Sequence, residues 1–386
     1  MDKTTFCLKP FNHLFLGTSG DVRTCCSAKT EIGNLNTSSI EEIIDGPVAQ
    51  EVRNAILNKQ WHDQCGQCKN TELQGGPSER SLYLDTYKNK NKLNTNVFDK
   101  SYFKLEAIDL RWSNTCNLAC NYCYPYFSSQ WANIKGIKVN TLKEDNQDSL
   151  FEYLERNKES IIDINCLGGE PLLLKQNSKL LDILPDKRYY VLTNLSVPLE
   201  KNEMARKLLA NRNVSWGVSF ETVGDRFEYV RHNASWDQFV KNIKYIKDRT
   251  VCSVTPHPLY CVYSAFNLDE FYDFTVNEVK STKMYWGLSG DNSKGFNVFQ
   301  LSKDLRIKAI DEIERCQLKY SSFINMDSLV KIKESLKESL SNTRNENLKF
   351  IQWTEQLETI DLPNKSNTFK DLWPELHQNL LRTDYE

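Results

Sequence analysis

Short apolar runs alternate with amphipathic stretches through the middle of the chain. Apolar runs of strand length recur at residues 105–112, 161–167, 189–194, 214–220, 251–254 and 284–288. Stretches with helical periodicity separate them at 145–158, 173–184, 199–211, 236–248 and 267–279. A repeated strand-then-helix order is typical of parallel strands joined by helical crossovers. The pattern therefore predicts an α/β fold, built as a barrel, a partial barrel or an open sheet.

The first 73 residues follow a different pattern and carry several cysteines. Residues 11–18 and 22–26 predict two short strands, which a Ser-Gly-Asp turn joins. A helix is expected at Ile40–Ile44 behind two serines that can cap it, and Pro47 suits the start of a second helix. These elements predict a small hairpin/helix unit ahead of the α/β core.

Two changes in composition divide the rest of the chain. Residues 74–103 begin Gln-Gly-Gly-Pro and continue through alternating Lys and Asn, which is typical of a linker. After residue 300 the pattern becomes helical throughout. The sequence thus predicts a cysteine-rich unit at 1–73, a linker at 74–103, an α/β core at 104–290 and a helical C-terminal region at 291–386.

Composition and charge exclude several classes of protein. The 386 residues are 40% apolar and 26% charged, which is ordinary for a globular protein and excludes a fully disordered chain. The formal charge is −2, so no overall basic field favours a nucleic acid partner. No stretch approaches about 18 consecutive apolar residues, and the N-terminus lacks the apolar region of a signal peptide. We therefore expect a cytoplasmic protein without a membrane span.

Twelve cysteines are an unusual number for a cytoplasmic chain, in which a disulfide framework is not expected. Three of them, Cys116, Cys120 and Cys123, follow a predicted strand with Cys-x3-Cys-x2-Cys spacing. Three thiolates leave one iron of a four-iron cluster without a protein ligand, so another molecule can bind there. A zinc site would more usually have a fourth Cys or His nearby. Buried cysteines on a helix are the alternative that involves no metal.

Small polar residues stand at the ends of three predicted strands. Two adjacent glycines and a glutamate follow one strand. Glycine lets the backbone approach a ligand closely, and the carboxylate can accept a hydrogen bond from a ligand's ammonium group. Two later strands end in hydroxyl, amide and carboxylate side chains, at the edge where α/β folds bind ligands. Each residue alone is more often a turn or capping residue. The strand-end residues are Gly168, Gly169, Glu170, Thr193, Asn194, Ser219 and Glu221.

Taken together, these motifs resemble the radical S-adenosylmethionine (radical SAM) superfamily over roughly residues 104–290. An aromatic residue, Tyr122, stands directly before the last cysteine of the triplet, as it does in that family. Gly168-Gly169-Glu170 stands where the family has its SAM-amine motif, one strand later. The resemblance implies a partial (β/α)6 TIM-like barrel.

The same resemblance implies cofactors and site residues. A [4Fe–4S] cluster would be bound by the three cysteines of the triplet, with SAM on its open iron. Thr193 and Asn194 match the polar end of the family's middle strand, and Ser219 and Glu221 match its ribose- and carboxylate-contacting strand. Reductive cleavage of SAM would give methionine and a 5′-deoxyadenosyl radical that abstracts a hydrogen from the substrate. An external flavodoxin- or ferredoxin-like reductant would supply the electron.

A second group of cysteines lies in the N-terminal unit. Cys7 precedes the predicted hairpin and Cys25 lies in its second strand, and Cys65 and Cys68 follow with Cys-x2-Cys spacing. Four thiolates are enough to saturate a zinc ion or an iron–sulfur cluster. Cys26 competes with Cys25, because adjacent cysteines seldom both bind one metal centre.

This N-terminal segment resembles the SPASM/twitch auxiliary-cluster module of radical SAM enzymes. The matching runs are Phe6-Cys7-Leu-Lys-Pro-Phe, Gly20-Asp-Val-Arg-Thr-Cys25-Cys26, Gly33-Asn34-Leu35, Ile40-Glu41-Glu42-Ile43 and Cys65-x2-Cys68. The resemblance implies a second [4Fe–4S] cluster bound by Cys7, Cys25, Cys65 and Cys68. The segment differs from the usual module in two ways. It precedes the core, and the second half of the full SPASM cysteine set is missing. One auxiliary cluster is therefore implied, as in twitch proteins.

The sequence thus predicts a radical SAM enzyme that oxidatively modifies a peptide or a small metabolite, because an auxiliary cluster can accept the electron left on a substrate radical. Modification of a nucleotide or an RNA base is the alternative reaction, and the charge of −2 disfavours it. A non-catalytic, zinc-stabilised binding protein is the alternative from another class. No catalytic acid, base or radical relay residue is predicted, and Cys166 and Cys261 are expected to be packing residues.

Overall fold

The computed structural model describes residues 5–73, 78–88, 98–288, 294–343, 345–363 and 365–382. The chain separates into two compact units. The first comprises Met1–Thr115 and Lys138–Val191, and the second comprises Cys116–Ile137 and Leu192–Glu386.

Strands and helices alternate along most of the described chain. The strands are β1 (His13–Leu16), β2 (Asp21–Arg23), β3 (Gly33–Asn34), β4 (Ala107–Leu110), β5 (Ala119–Cys120), β6 (Asp163–Cys166), β7 (Arg188–Thr193), β8 (Val214–Val218), β9 (Arg231–His232), β10 (Ser253–Pro256), β11 (Leu259–Tyr260) and β12 (Gly287–Leu288). The helices are α1 (Lys9–Asn12), α2 (Ile40–Ile44), α3 (Pro47–Leu57), α4 (Gly66–Leu73), α5 (Glu79–Lys88), α6 (Ser129–Lys135), α7 (Glu144–Arg156), α8 (Lys175–Ile183), α9 (Glu203–Ala210), α10 (Gly224–Val230), α11 (Trp236–Arg249), α12 (Val262–Ala265), α13 (Leu268–Phe274), α14 (Lys303–Tyr320), α15 (Asp327–Ser339), α16 (Asn347–Gln356), α17 (Phe369–Leu372) and α18 (Pro374–Leu381).

The first unit is built around a sheet with the strand order β7-β6-β4-β1-β2-β3. β4, β6 and β7 are parallel neighbours, with Ile108 opposite Ile164 and Ile164 opposite Tyr189. β1 also runs parallel to β4, with His13 opposite Ala107, whereas β2 and β3 pair antiparallel. The hairpin of the cysteine-bearing segment therefore extends the parallel sheet of the first unit.

α7 shows why the predicted crossover helices form. Its buried residues Leu150, Phe151 and Leu154 recur at helical spacing and give the helix one apolar face. Acidic residues occupy its first turn and Arg156 its last turn, which complements the helix dipole. The sequence periodicity thus places an amphipathic helix where a parallel crossover needs one.

The second unit contains the parallel strands β8 and β10, with Trp216 opposite Val254. α11 lies between them in the chain and buries Phe239, Ile243 and Ile246. Two short strand pairs, β5 with β9 and β11 with β12, also belong to this unit. Helices α14 to α18 make up its C-terminal part, as the sequence predicts.

The predicted α/β class is confirmed, and a helix is present in every predicted crossover. The predicted cap of α2 is also confirmed, because Ser39 and Glu42 form a reciprocal capping box. Among the described helices, none combines the length and the apolar character that crossing a membrane requires.

Part of the segment predicted as a linker is helical. Residues 78–88 include α5, and its Leu84 belongs to the same buried cluster as Phe6 and Phe11. The remaining low-complexity parts, 74–77 and 89–97, lie outside the described residues. The domain boundaries proposed from the sequence stay a prediction.

Candidate functional site

The two glycines after β6 allow a close approach of two backbone segments. Gly168 has a φ of +116°, which side chains rarely permit. A Cβ at Gly169 would lie 2.2 Å from the carbonyl oxygen of Thr115, and the Glu170 N–H donates to that same oxygen at 2.8 Å. The glycines therefore fix the segment that leads, along the chain, into Cys116.

Glu170 is fully buried behind this turn. Its carboxylate accepts from the backbone N–H of Leu172 at 3.1 Å and caps the short 3₁₀ helix Pro171–Leu173. The assignment of Glu170 to the SAM amine stays a prediction.

Glu170→Ala is expected to weaken SAM binding while every thiolate stays in place. Loss of a charge-assisted hydrogen bond costs about 1.5–3 kcal/mol, which corresponds to roughly a 10- to 150-fold loss of affinity. Anaerobic equilibrium dialysis with reconstituted protein measures this affinity. Glu170→Gln keeps an oxygen for the Leu172 cap and should show a similar loss, whereas Glu155→Ala on the exposed face of α7 should show none. Unchanged affinity in a folded Glu170→Gln protein would mean that the motif is only a turn.

The four predicted auxiliary ligands lie in one neighbourhood of the first unit. Burial raises the pKa of the Cys7 thiol, and the nearby Cys25 and Cys65 thiols raise it further. Burial also raises the pKa of Cys25 to about 12. The Lys9 ammonium lowers this pKa, and the Cys68 thiol raises it. Burial and Cys68 raise the pKa of Cys65 to about 11. Each of these thiols affects the pKa of another, so they lie close to one another, and their role as ligands of an iron–sulfur cluster stays a prediction.

Cys26 differs from its neighbour Cys25 in exposure. Cys26 is exposed, with its Sγ 3.9 Å from the hydroxyl of Ser27, whereas Cys25 is half-buried. This contrast favours Cys25 as the ligand. His62, close to Cys65 in sequence, has a structural role, because its Nδ1 accepts from the backbone N–H of Gln64 and caps the helix Asp63–Cys65.

In the second unit, hydrogen bonds hold the loop that carries the cysteine triplet. The Cys123 N–H donates to the Cys120 carbonyl at 2.8 Å, and the Trp131 indole N–H donates to the same carbonyl at 2.8 Å. The Cys116 N–H donates to the Ser129 hydroxyl at 3.1 Å. Cys120 is buried, and Cys116 and Cys123 are half-buried. The loop is therefore a defined element that presents three thiols.

The three thiols also affect one another. Burial raises the pKa of Cys120, and the Cys123 and Cys116 thiols raise it further. The positive charge of Arg231 acts in the opposite direction and lowers this pKa. Burial raises the pKa of Cys123 to about 11, against the positive charge of Lys294. In the part of the chain that the structure describes, no group of three or more His, Cys, Asp or Glu side chains could hold a single metal ion.

One polar group in the cysteine loop fits a bound cofactor. The buried hydroxyl of Tyr124 lacks a hydrogen-bond partner among the described residues. The buried Asn121 side chain lies against the Tyr263 hydroxyl instead. Buried polar atoms normally have partners, so the Tyr124 hydroxyl suits a ligand or ordered water beside the thiols.

The polar end of β7 has two different roles. Asn194 lies beside the cysteine loop, with its Nδ2 3.8 Å from the Cys116 sulfur, and its Oδ1 accepts from the Ser196 N–H at 3.0 Å. The Thr193 hydroxyl accepts from the N–H of Leu195, which has a φ of +55°, and so supports a tight turn. Asn194 is thus next to a predicted cluster ligand, while Thr193 shapes the backbone that places it.

Ser219 and Glu221 follow β8 and are also placed differently from each other. The Ser219 N–H donates to the Thr193 carbonyl at 3.0 Å, which holds the two strand ends together. Glu221 is fully buried, and its carboxylate accepts from Arg231 at 2.7 and 3.1 Å and from the Tyr122 hydroxyl at 3.1 Å. The structure therefore assigns this carboxylate an internal partner. A direct contact with SAM stays a prediction for both residues.

Arg231 is a site residue that the sequence analysis missed. Its guanidinium is buried, and Nη1 lies 4.0 Å from the Cys120 sulfur. Burial alone would lower the pKa of Arg231, but the Glu221 carboxylate raises it, so Arg231 stays positively charged. No spacing motif links this residue to the triplet, because it is 111 positions from Cys120. Cys166 and Cys261 are fully buried, as packing residues are.

Comparison with family models identifies both parts of the chain. Residues 110–274 match the radical SAM superfamily, and residues 7–69 match an iron–sulfur cluster-binding domain, the SPASM domain. These two matches confirm the resemblance to the radical SAM superfamily and to the SPASM module that the motifs predicted, each over the residues matched. Members of this superfamily use a [4Fe–4S] cluster and SAM, and SPASM domains bind auxiliary iron–sulfur clusters.

Solved structures resemble the chain at low identity. SuiB of Streptococcus suis bound to S-adenosylmethionine is 14% identical with a TM-score of 0.43, over 73% of this chain and 63% of that one. The structure of anSMEcpe with bound AdoMet and Kp18Cys peptide is 14% identical with a TM-score of 0.43, over 56% of this chain and 61% of that one. The chain thus matches about three fifths of the length of these proteins. Among curated proteins, none matches the chain significantly.

Proposed function

We propose that this protein is a radical SAM enzyme that abstracts a hydrogen atom from its substrate. The observation that carries the proposal is the loop with Cys116, Cys120 and Cys123, whose thiols influence one another and whose backbone is held by hydrogen bonds. With a [4Fe–4S] cluster and SAM bound, this site supplies reductive cleavage to methionine and a 5′-deoxyadenosyl radical.

In this proposal the protein's own residues bind the cluster and orient its ligands. The three cysteines ligate the cluster, and the Asn194 amide lies close enough to the Cys116 sulfur to donate to it. Arg231 places positive charge beside Cys120, and Glu221 and Tyr122 hold Arg231 in that position. Second-shell contacts of this kind orient ligands and tune the centre they hold.

The N-terminal cysteines support an oxidative reaction. Cys7, Cys25, Cys65 and Cys68 supply four thiolates, so a cluster there has a protein ligand on every iron and is suited to electron transfer. Such a centre can accept the electron left on a substrate radical. We therefore propose oxidative modification of a peptide or a small metabolite in the cytoplasm, with a flavodoxin- or ferredoxin-like protein as the external reductant.

Deuterium transfer tests the substrate class. Three substrate pools are prepared from cells grown on deuterated medium, namely a tryptic digest, a small-metabolite extract and an RNA pool. Each pool is incubated separately with reduced protein and unlabelled SAM. We expect deuterium in 5′-deoxyadenosine with the digest or the metabolite extract, measured by mass spectrometry. Incorporation with the RNA pool alone would contradict this substrate class and favour nucleotide or RNA modification.

A further inference from the structure

Lys294, from the C-terminal region, lies against the cysteine loop. Its ammonium donates to the Cys123 carbonyl at 2.8 Å. The same nitrogen is 3.9 Å from the ring centroid of Tyr124, 4.7 Å from that of Trp353 and 5.7 Å from that of Trp131. Aromatic faces attract a cation, so these three rings form a cage around the ammonium.

Packing of the C-terminal helices fixes this cage. One buried cluster joins the cysteine loop to the segment after α16, and it comprises Ala119, Trp131, Leu357 and Leu362, with Cys123 and Trp353 packed against it. An ion pair between Lys135 and Asp361, 2.6 Å long, links the same two segments. The ammonium of Lys294 therefore has a defined position beside Cys123. Both Lys294 and Trp353 lie outside residues 110–274, which match the superfamily model.

The position of a fixed cation beside a cluster ligand has a direct electrostatic consequence. Reduction adds one negative charge to an iron–sulfur cluster, and a nearby positive charge stabilises the reduced form more than the oxidised form. Charge and hydrogen bonds around the ligands are the means by which proteins set cluster potentials. Lys294 is half-buried beside these rings, so solvent screens its charge only in part.

We propose that Lys294, held in its aromatic cage, raises the reduction potential of the cluster bound by Cys116, Cys120 and Cys123. The step concerned is the transfer of one electron from the external reductant to the cluster, in which no bond to Lys294 forms or breaks. The residue is a positioning residue that acts through the Cys123 ligand. This inference rests on the proposed function, because it requires a cluster at the triplet.

Potentiometric titration followed by electron paramagnetic resonance tests the proposal. The reconstituted full-length protein is reduced in steps, and the signal that changes on SAM addition reports the cluster at the triplet. Lys294→Met should make reduction about tenfold less favourable, which is a decrease of about 59 mV for a one-electron couple. Lys294→Arg keeps the charge and should stay close to wild type. Lys308→Met, on the exposed face of α14, should leave the potential unchanged.

Trp353→Leu provides an independent variant, because it opens the cage without removing the lysine. It should shift the potential in the same direction as Lys294→Met by a smaller amount, and it decides the matter if Lys294→Met does not fold. An unchanged potential in Lys294→Met with its SAM-sensitive signal intact would overturn the proposal. A folded Lys294→Met protein without a cluster would also overturn it, since the role would then be structural. Failure of the proposed function is distinct, because wild type itself would show no SAM-sensitive signal.

Discussion

The Cys116→Ala/Cys120→Ala/Cys123→Ala variant is expected to keep about four irons per chain and a brown colour, although it lacks every thiolate of the SAM site. The reason is that the auxiliary thiols form a set of their own in the first unit, where they influence one another. Its absorption spectrum should not change when SAM is added, because every remaining iron has a protein ligand. Iron and sulfide analysis with absorption spectroscopy measures both properties.

Further substitutions in that background identify the auxiliary ligands. Replacing Cys65 and Cys68 by alanine should remove the remaining iron, because two thiolates cannot retain the cluster. Cys26→Ala is the matched control and should leave the iron in place, since Cys26 is exposed while Cys25 is half-buried. A triple variant with one zinc and no iron would contradict the assignment. The N-terminal unit would then be a structural zinc knuckle, as the alternative class of binding protein requires.

The elements that the sequence predicted well are those whose signals are local. The serine cap of α2 and the apolar face of α11 are carried by residues within one helix, and periodicity identifies them directly. α5 was missed because polar, low-complexity residues surround it in the sequence. Its stability comes from tertiary contacts, including burial of Leu84 and hydrogen bonds from Arg80 to Glu72 and to the Phe6 carbonyl.

The parallel pairing of β1 with β4 could not be predicted, because it is a long-range contact. His13 and Ala107 are opposite each other although the four helices α2 to α5 lie between them in the chain. The local turn chemistry after β1 predicts only the antiparallel partner, β2. Which strand lies on the other side is decided by packing of the whole sheet.

The candidate site divides in the same way. Spacing alone predicts Cys116, Cys120 and Cys123, because a cluster needs closely spaced thiolates and a single loop supplies them. The cations beside these ligands come from distant positions, with Arg231 111 residues from Cys120 and Lys294 171 residues from Cys123. An isolated Arg or Lys has no spacing pattern, so only the fold reveals its neighbours.

SAM cleavage is expected to depend entirely on the cysteine triplet. Without its three thiolates this loop could not hold the cluster that would pass an electron to SAM, and an auxiliary cluster with a protein ligand on every iron would not replace it. We therefore expect complete loss of cleavage in the triple variant, even though the auxiliary cluster remains.

The most direct test of the account is the amount of 5′-deoxyadenosine and methionine formed from SAM by anaerobically reconstituted protein with a strong reductant. Wild-type protein should form both products, and the Cys116→Ala/Cys120→Ala/Cys123→Ala variant should form neither. Products from the triple variant, or no products from wild-type protein that holds both clusters, would contradict the assignment of this chain as a radical SAM enzyme.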